Sequence, residues 1–253
     1  RSVYTPLELN DISFATYNEP NLDVGFKEKL MLMTSMGFQY EHISNGSMIT
    51  TELTDFLIQY PQNIKNFRLN IPTLDEKKWK DITGSAVNVL YRMFYQLDYL
   101  FSRAALLNFP ITVIVNGDGG EDHKLEFQKV YQKFAHYKGI NLSMTGLIDR
   151  AGTLEGAECE TQKLPSGEID WGDQPLRCNA GYFDNLYFGI KGNVFYCCHD
   201  YHQDYSCGNI HETPLSQLLN SDSYHKQKER FMKDFWRKCE QARPLTNCEL
   251  MTN

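Results

Sequence analysis

The chain has 253 residues, enough to bury a sizeable core, with 42% apolar residues, a formal net charge of −7 and an isoelectric point near 5.5. That acidic balance argues against a nucleic-acid partner, which needs a basic face for the phosphate backbone. No stretch reaches the roughly 18–20 consecutive apolar residues of a membrane helix, and the opening RSVYTPLELND lacks the apolar core of a signal peptide, which together point to the cytoplasm and to no membrane partner.

In chain order, DISFAT reads as a strand, followed by Phe26, Leu30, Met33 and Met36 at mostly helical spacing. YEHIS is a second strand, and TTELTDFLIQY a helix opened by a threonine cap. NFRLNI is a third strand. From Ala86 to Asn108, Val87, Leu90, Met93, Phe94, Leu97, Phe101 and Ala104 line one helix face, and Pro110 is expected to end that helix. ITVIV, a helix around Leu125–Tyr137 and INLSMTGL complete the alternation. Repeated βα units predict a parallel sheet covered by helices, with ligand sites at the C-terminal strand ends. About five such units make a partial (β/α) barrel rather than a closed one of eight.

After Gly152 the composition changes. Residues 153–177, rich in Gly, Pro, Glu and Asp, read as a linker between a partial barrel over 1–152 and a small domain over 178–253. In that domain LYFGI and NVFYCC form a hairpin across Lys191 and Gly192, followed by short helices near Pro214–Asn220 and Ser223–Phe235. The cysteines share this asymmetry. The first 158 residues have none, and all seven fall at Cys159, Cys178, Cys197, Cys198, Cys207, Cys239 and Cys248. In a reducing compartment an odd, clustered set favours metal over disulfides. Thiolates from a hairpin end and a returning C-terminal segment suit an iron–sulfur cluster. CCHDYHQDYSC, with His199 and His202, also suits zinc, and buried inert thiols are a third reading.

The order C-x13-G-x4-C over Cys178, Gly192 and Cys197 resembles the start of the SPASM or twitch extension of radical S-adenosylmethionine (SAM) enzymes. The resemblance runs over nearly the whole chain. TYNEPNLD is similar to the Gly-Glu-Pro-type motif that holds the SAM ammonium, and ISNGSMIT to the Thr-Asn-Gly segment that follows the next strand. FRLNIPTLDEKKWKDITG resembles the strand-and-loop region beyond it, GLIDRAG the Arg-Ala-Gly that ends a later strand, and SCGNIHETPLSQLLNSDSYHKQ the segment between cluster ligands. The resemblance implies an auxiliary [4Fe-4S] cluster on Cys178, Cys197, Cys239 and Cys248. Gly-x4-Cys spacing selects Cys197 over Cys198, whose side chain would point to the other face of a strand.

It also implies a SAM site at Tyr17, Asn18, Glu19 and Pro20, with Asn45, Gly46 and Arg150 near it and with Asn70 and Asn116 as ribose or carboxylate contacts. A ligand with an ammonium and a carboxylate needs both an acceptor and a donor. The activity implied is oxidoreductase or modifying chemistry on a peptide or small polar substrate by hydrogen-atom abstraction, with flavodoxin or ferredoxin as electron donor. Two departures stand out. The Cys-x3-Cys-x2-Cys of the SAM-cleaving cluster, expected before ISFATYNEP, has no counterpart in these residues. The expectation is that a preceding segment supplies it, and with it a second [4Fe-4S] cluster; the alternative is a non-catalytic iron–sulfur or zinc scaffold or electron relay. At the other end Ala242 and Thr252 replace two cysteines of C-x2-C-x5-C-x3-C, which favours one auxiliary cluster over two.

Overall fold

The computed structural model describes residues 11–14, 19–60, 62–146, 176–178, 185–198, 200, 202–234 and 242–244. The chain divides into two compact units, Arg1–Gly146 and Leu147–Asn253.

The first unit is built on a parallel sheet in which β1 (Asp11–Phe14), β2 (Gln39–Ser44), β3 (Ile64–Asn70), β4 (Ile111–Gly117) and β5 (Ile140–Gly146) lie side by side in chain order. Parallel neighbours need crossovers, and helices supply them: α1 (Phe26–Ser35), α2 (Thr51–Gln59), α3 (Glu76–Thr83) with α4 (Val87–Phe101), and α5 (Glu121–Phe134). Thr50 caps α2, its side chain accepting the Leu53 N–H at 3.1 Å. The α4 helix stops at Phe101 rather than near Pro110. The Ser102 hydroxyl and Arg103 guanidinium bind the Tyr99 carbonyl at 2.9 and 3.3 Å, and a 3₁₀ turn at Ala104–Leu106 follows. The α3 helix falls within the stretch likened to a strand-and-loop region, on the charged run DEKK that reads as a solvated helix face. Asp75 caps it through the Lys78 N–H at 2.9 Å, Gly84 closes it, and Trp79 is buried.

The strands alternate sharply between two faces. Tyr40, His42, Phe67, Leu69, Ile111 and Val113 are buried in the core that α1, α2, α4 and α5 complete. By register the opposite face carries mainly polar residues, Ser13, Glu41, Asn66, Arg68, Asn70, Thr112, Asn116, Asn141, Ser143 and Thr145, with Ile43 and Ile114 among them. A parallel sheet covered on both faces reads as continuous apolar runs. This one keeps a largely polar face, the inner wall of the partial barrel.

One buried carboxylate ties the helical layer together. Glu126 on α5 accepts from the Thr73 hydroxyl at 2.7 Å, Lys129 at 2.9 Å and Lys78 of α3 at 3.0 Å. Burial pushes its carboxyl up, but these three donors outweigh burial and hold it at about 2. Glu126→Gln is expected to cost about 1–3 kcal/mol at neutral pH in urea unfolding, with unchanged denaturant slope. A variant with the wild-type midpoint would show that the network contributes nothing.

In the second unit, β6 (Leu176–Cys178) pairs antiparallel with β10 (Ala242–Pro244), while β7 (Tyr187–Phe188), β8 (Asn193–Phe195) and β9 (Gly208–Asn209) form a separate antiparallel sheet. The helices are α6 (Leu215–Leu219) and α7 (Asp222–Asp234). Val194, Tyr196, Cys197, Cys207, Leu218 and Phe231 form the core. The β7–β8 turn is closed by Gly192 N–H to the Gly189 carbonyl at 2.9 Å. Gly192 sits at φ 82°, and a Cβ there would come within 2.4 Å of His211, so glycine is required twice over.

Candidate functional site

The C-terminal end of β2 lies against Glu19. This residue caps a 3₁₀ turn over Pro20–Leu22, and Pro20 fixes the turn's first φ. Its Oε1 accepts from Asn21 N–H at 3.2 Å, Asn21 Nδ2 at 2.8 Å and the Ser44 hydroxyl at 2.8 Å, and its Oε2 from Asn45 N–H at 2.7 Å. Ser44 in turn accepts from Asn21 Nδ2 and Gly46 N–H, both at 2.9 Å. The Asn45 side chain is spent on its own turn, its Oδ1 accepting from Ser47 N–H at 2.9 Å and the Ser47 hydroxyl at 2.6 Å. Asn45 therefore contributes its backbone N–H to Glu19, and its side-chain oxygen is held by Ser47. Gly46, at φ 78° and 3.4 Å from Met93 at its would-be Cβ, lets the loop turn against α4.

Two acceptors in this region are buried without a hydrogen-bond partner among the described residues: Asn21 Oδ1, in the Glu19 network, and Asn70 Oδ1, at the end of β3. Buried polar atoms are normally satisfied. Glu19 Oε2 also has lone-pair capacity beyond its single bond. An ammonium, with three donors and no acceptor, fits Oε2 and Asn21 Oδ1. A hydroxyl fits Asn70 Oδ1, which as an acceptor suits a ribose better than a carboxylate. Asn116 lies opposite Thr145 on the same polar face. Tyr17, Asn18 and Arg150 lie outside the described residues, as do His199, Cys159, Cys239 and Cys248. Neither Asn21 nor Ser44 stood out in the sequence, since both act through contacts to a folded neighbour.

The cysteine-bearing loop follows β8. The strand ends at Phe195, so Cys197 and Cys198 lie in a turn, closed by Asp200 N–H to the Cys197 carbonyl at 3.1 Å. Alternation along a strand therefore does not decide between them. Burial separates them instead, with Cys197 1% exposed in the apolar core and Cys198 half-buried. Burial and then the Cys198 thiol, with which it hydrogen-bonds, push the Tyr187 hydroxyl up, and Cys197 lies close enough to add to the shift. Asp200, which no sequence signal singled out, is buried and receives Asp204 and Tyr205 N–H at 3.0 and 3.1 Å, fixing the loop. Asp200→Ala is expected to lower the melting temperature by several degrees, as loss of two buried bonds should, and an unchanged melt would remove the residue from the loop's support.

Cys207 differs. Its thiol donates to the Val194 carbonyl at 3.2 Å, and burial pushes it up, so it stays protonated. His202 is exposed. Among the described residues no group of three or more His, Cys, Asp and Glu can hold a metal ion. The β6–β10 register nevertheless sets Cys178 opposite Ala242, three residues after Cys239 in the sequence. That pairing, with the thiol character of the remaining donors, fits a cluster.

The family comparison falls on this segment. Residues 178–249 match the SPASM model, an iron–sulfur cluster-binding domain. Among solved structures, Streptococcus suis SuiB bound to precursor peptide SuiA superposes with TM-score 0.56 at 11% identity, over 84% of this chain and 54% of that one. SuiB bound to S-adenosylmethionine gives 0.51 over the same shares at 11% identity. The anSMEcpe structure with bound AdoMet gives 0.51 at 14% identity, over 92% of this chain and 71% of that one. No curated protein sequence matches the chain. The chain shares the fold of these structures, a partial (β/α) barrel, and its residues 178–249 match an iron–sulfur cluster-binding domain. It spans about half the length of SuiB. Among the described residues no helix is long and apolar enough to cross a membrane.

Proposed function

We propose that this chain binds SAM at the ends of β1–β3 and an auxiliary [4Fe-4S] cluster through Cys178, Cys197, Cys239 and Cys248, as part of an enzyme that modifies a peptide or small polar substrate by hydrogen-atom abstraction. The observation that carries the reading is the Glu19 network, a preorganised carboxylate beside a buried acceptor with no partner among the described residues. On one-electron reduction by an iron–sulfur cluster, bound SAM would supply the radical that takes the substrate hydrogen. The chain's own residues do the positioning. Glu19 Oε2 and Asn21 Oδ1 hold the ammonium, Ser44 and the Asn45 N–H keep the carboxylate aimed, and Asn70 Oδ1 accepts from a ribose hydroxyl. The polar face, with Asn116 and Thr145, presents the substrate, while the helix-covered face keeps the sheet rigid. A peptide substrate is supported by the complex of SuiB with its precursor peptide.

The test is calorimetric titration of SAM into the purified chain. Glu19→Gln and Asn21→Ala are each expected to weaken binding by about tenfold or more, the scale of one charge-assisted bond. SAM affinity that neither substitution changes would overturn the assignment.

A further inference from the structure

The polar face of the sheet carries an ion pair at its centre. Arg68, on the middle strand β3, donates from Nη2 to Oε1 of Glu41 on β2 at 3.1 Å. Both side chains are partly open, 39% for Arg68 and 26% for Glu41. A guanidinium has five N–H donors in a rigid fork. One is committed here, and the others reach no protein acceptor among the described residues. Glu41 Oε2 likewise accepts no hydrogen bond from the described residues, while the nearby polar pair on this face is closed on itself, Thr112 donating to Asn66 at 3.1 Å.

Stability does not explain the pair, because partly exposed ion pairs contribute little. Nor does sheet architecture, which fills such positions with apolar side chains. Charge balance narrows the ligand. The pair is neutral, so an anion or a cation alone would leave a net charge on a half-buried face, whereas a group carrying both charges leaves none. We propose that Arg68 and Glu41 recognise a substrate group of the α-amino acid kind, its carboxylate on the uncommitted N–H groups of Arg68 and its ammonium on Oε2 of Glu41. This deepens the functional reading above and rests on it for calling the ligand a substrate. The binding geometry itself needs no SAM.

Ligand-observed saturation-transfer titrations with L-alanine, N-acetyl-L-alanine and L-alanine amide test it, since the three share a skeleton and differ in which charge is blocked. L-Alanine is expected to bind about tenfold tighter than either blocked form, and Arg68→Met to weaken it by about tenfold or more. Arg68→Lys, which keeps the charge and loses the fork, is expected to fall between. In Glu41→Gln the preference of L-alanine over N-acetyl-L-alanine should fall to about threefold or less. SAM affinity, titrated separately, should be unchanged in Arg68→Met, which also reports that the variant is folded. Equal binding of the three probes, no binding of L-alanine, an Arg68→Met that holds L-alanine as the wild type does, or one that loses SAM instead, would each overturn the proposal. Failure of the wild type to bind SAM would sink the functional reading while leaving the alanine result standing.

Discussion

Chain purified without oxygen is expected to carry about four irons and four acid-labile sulfides, and Cys178→Ala and Cys197→Ala each to fall close to zero. The expectation rests on the SPASM match over residues 178–249 and on two structural facts. The β6–β10 pairing draws the segment after Cys239 alongside Cys178. Cys197 sits in a dry apolar pocket, where a thiolate without a metal partner would be costly. Cys207→Ala should keep its iron, because that thiol is already committed as a donor to Val194. Cys198→Ala is the discriminating variant. Full iron there assigns the ligand to Cys197, and loss there with retention in Cys197→Ala would move it by one residue and implicate the Tyr187 side of the turn. Zinc near one per chain with no sulfide would remove the cluster reading altogether.

Between pH 7 and pH 5 the chain should lose about 2 kcal/mol of stability from His42 alone. The ring lies between Phe26 and Phe67, with centroids at 5.0 and 4.3 Å, and both nitrogens are buried without a hydrogen-bond partner among the described residues. Burial lowers its pKa from 6.5 to about 3. The unfolded chain therefore takes up a proton near pH 6.5 that the folded chain refuses until about pH 3. Stability is full above the unfolded value and falls with pH through that window. His42→Phe should be neutral or stabilising at pH 7, since it removes two unsatisfied polar atoms from an aromatic stack, and should flatten the dependence. Urea midpoints of both proteins at the two pH values check this, and an identical slope in His42→Phe would show that the ring titrates normally. Below pH 5 the loss of Glu126 ionisation adds to the decline, in the interval down to about 2.

The alternation of strands and helices was legible because each element carries its own period, and the Thr50 cap and Gly192 turn announced themselves by residue type. The failures trace to longer-range causes. The end of α4 depends on Ser102 and Arg103 reaching back to one carbonyl, which helical periodicity through Ala104 conceals. The α3 helix buries a single tryptophan among charged residues, so only its solvated face, DEKK, and not its extent was legible. At the site, the Glu-Pro motif marked Glu19, but Asn21 and Ser44 act through a contact across 23 residues of chain. The Arg68–Glu41 pair was invisible for a similar reason, since which residues of β2 and β3 share a face depends on how the strands register.

That register has one irregularity. Tyr40 pairs with Ile64 and Glu41 with Asn66, so Lys65 is an extra residue in β3. Ile64 and Phe67 would face opposite ways in an unbroken strand, yet both are buried in the same core. Lys65 thus works as a phase shift. Ahead of it the strand is in step with the greasy side, and behind it the count restarts so that Phe67 and Leu69 stay inside while Arg68 and Asn70 look into the barrel. The chemistry of the inner wall is set by parity: insertions of any length in the loops leave it intact, whereas adding or removing one residue between Lys65 and Arg68 would exchange lining for stuffing.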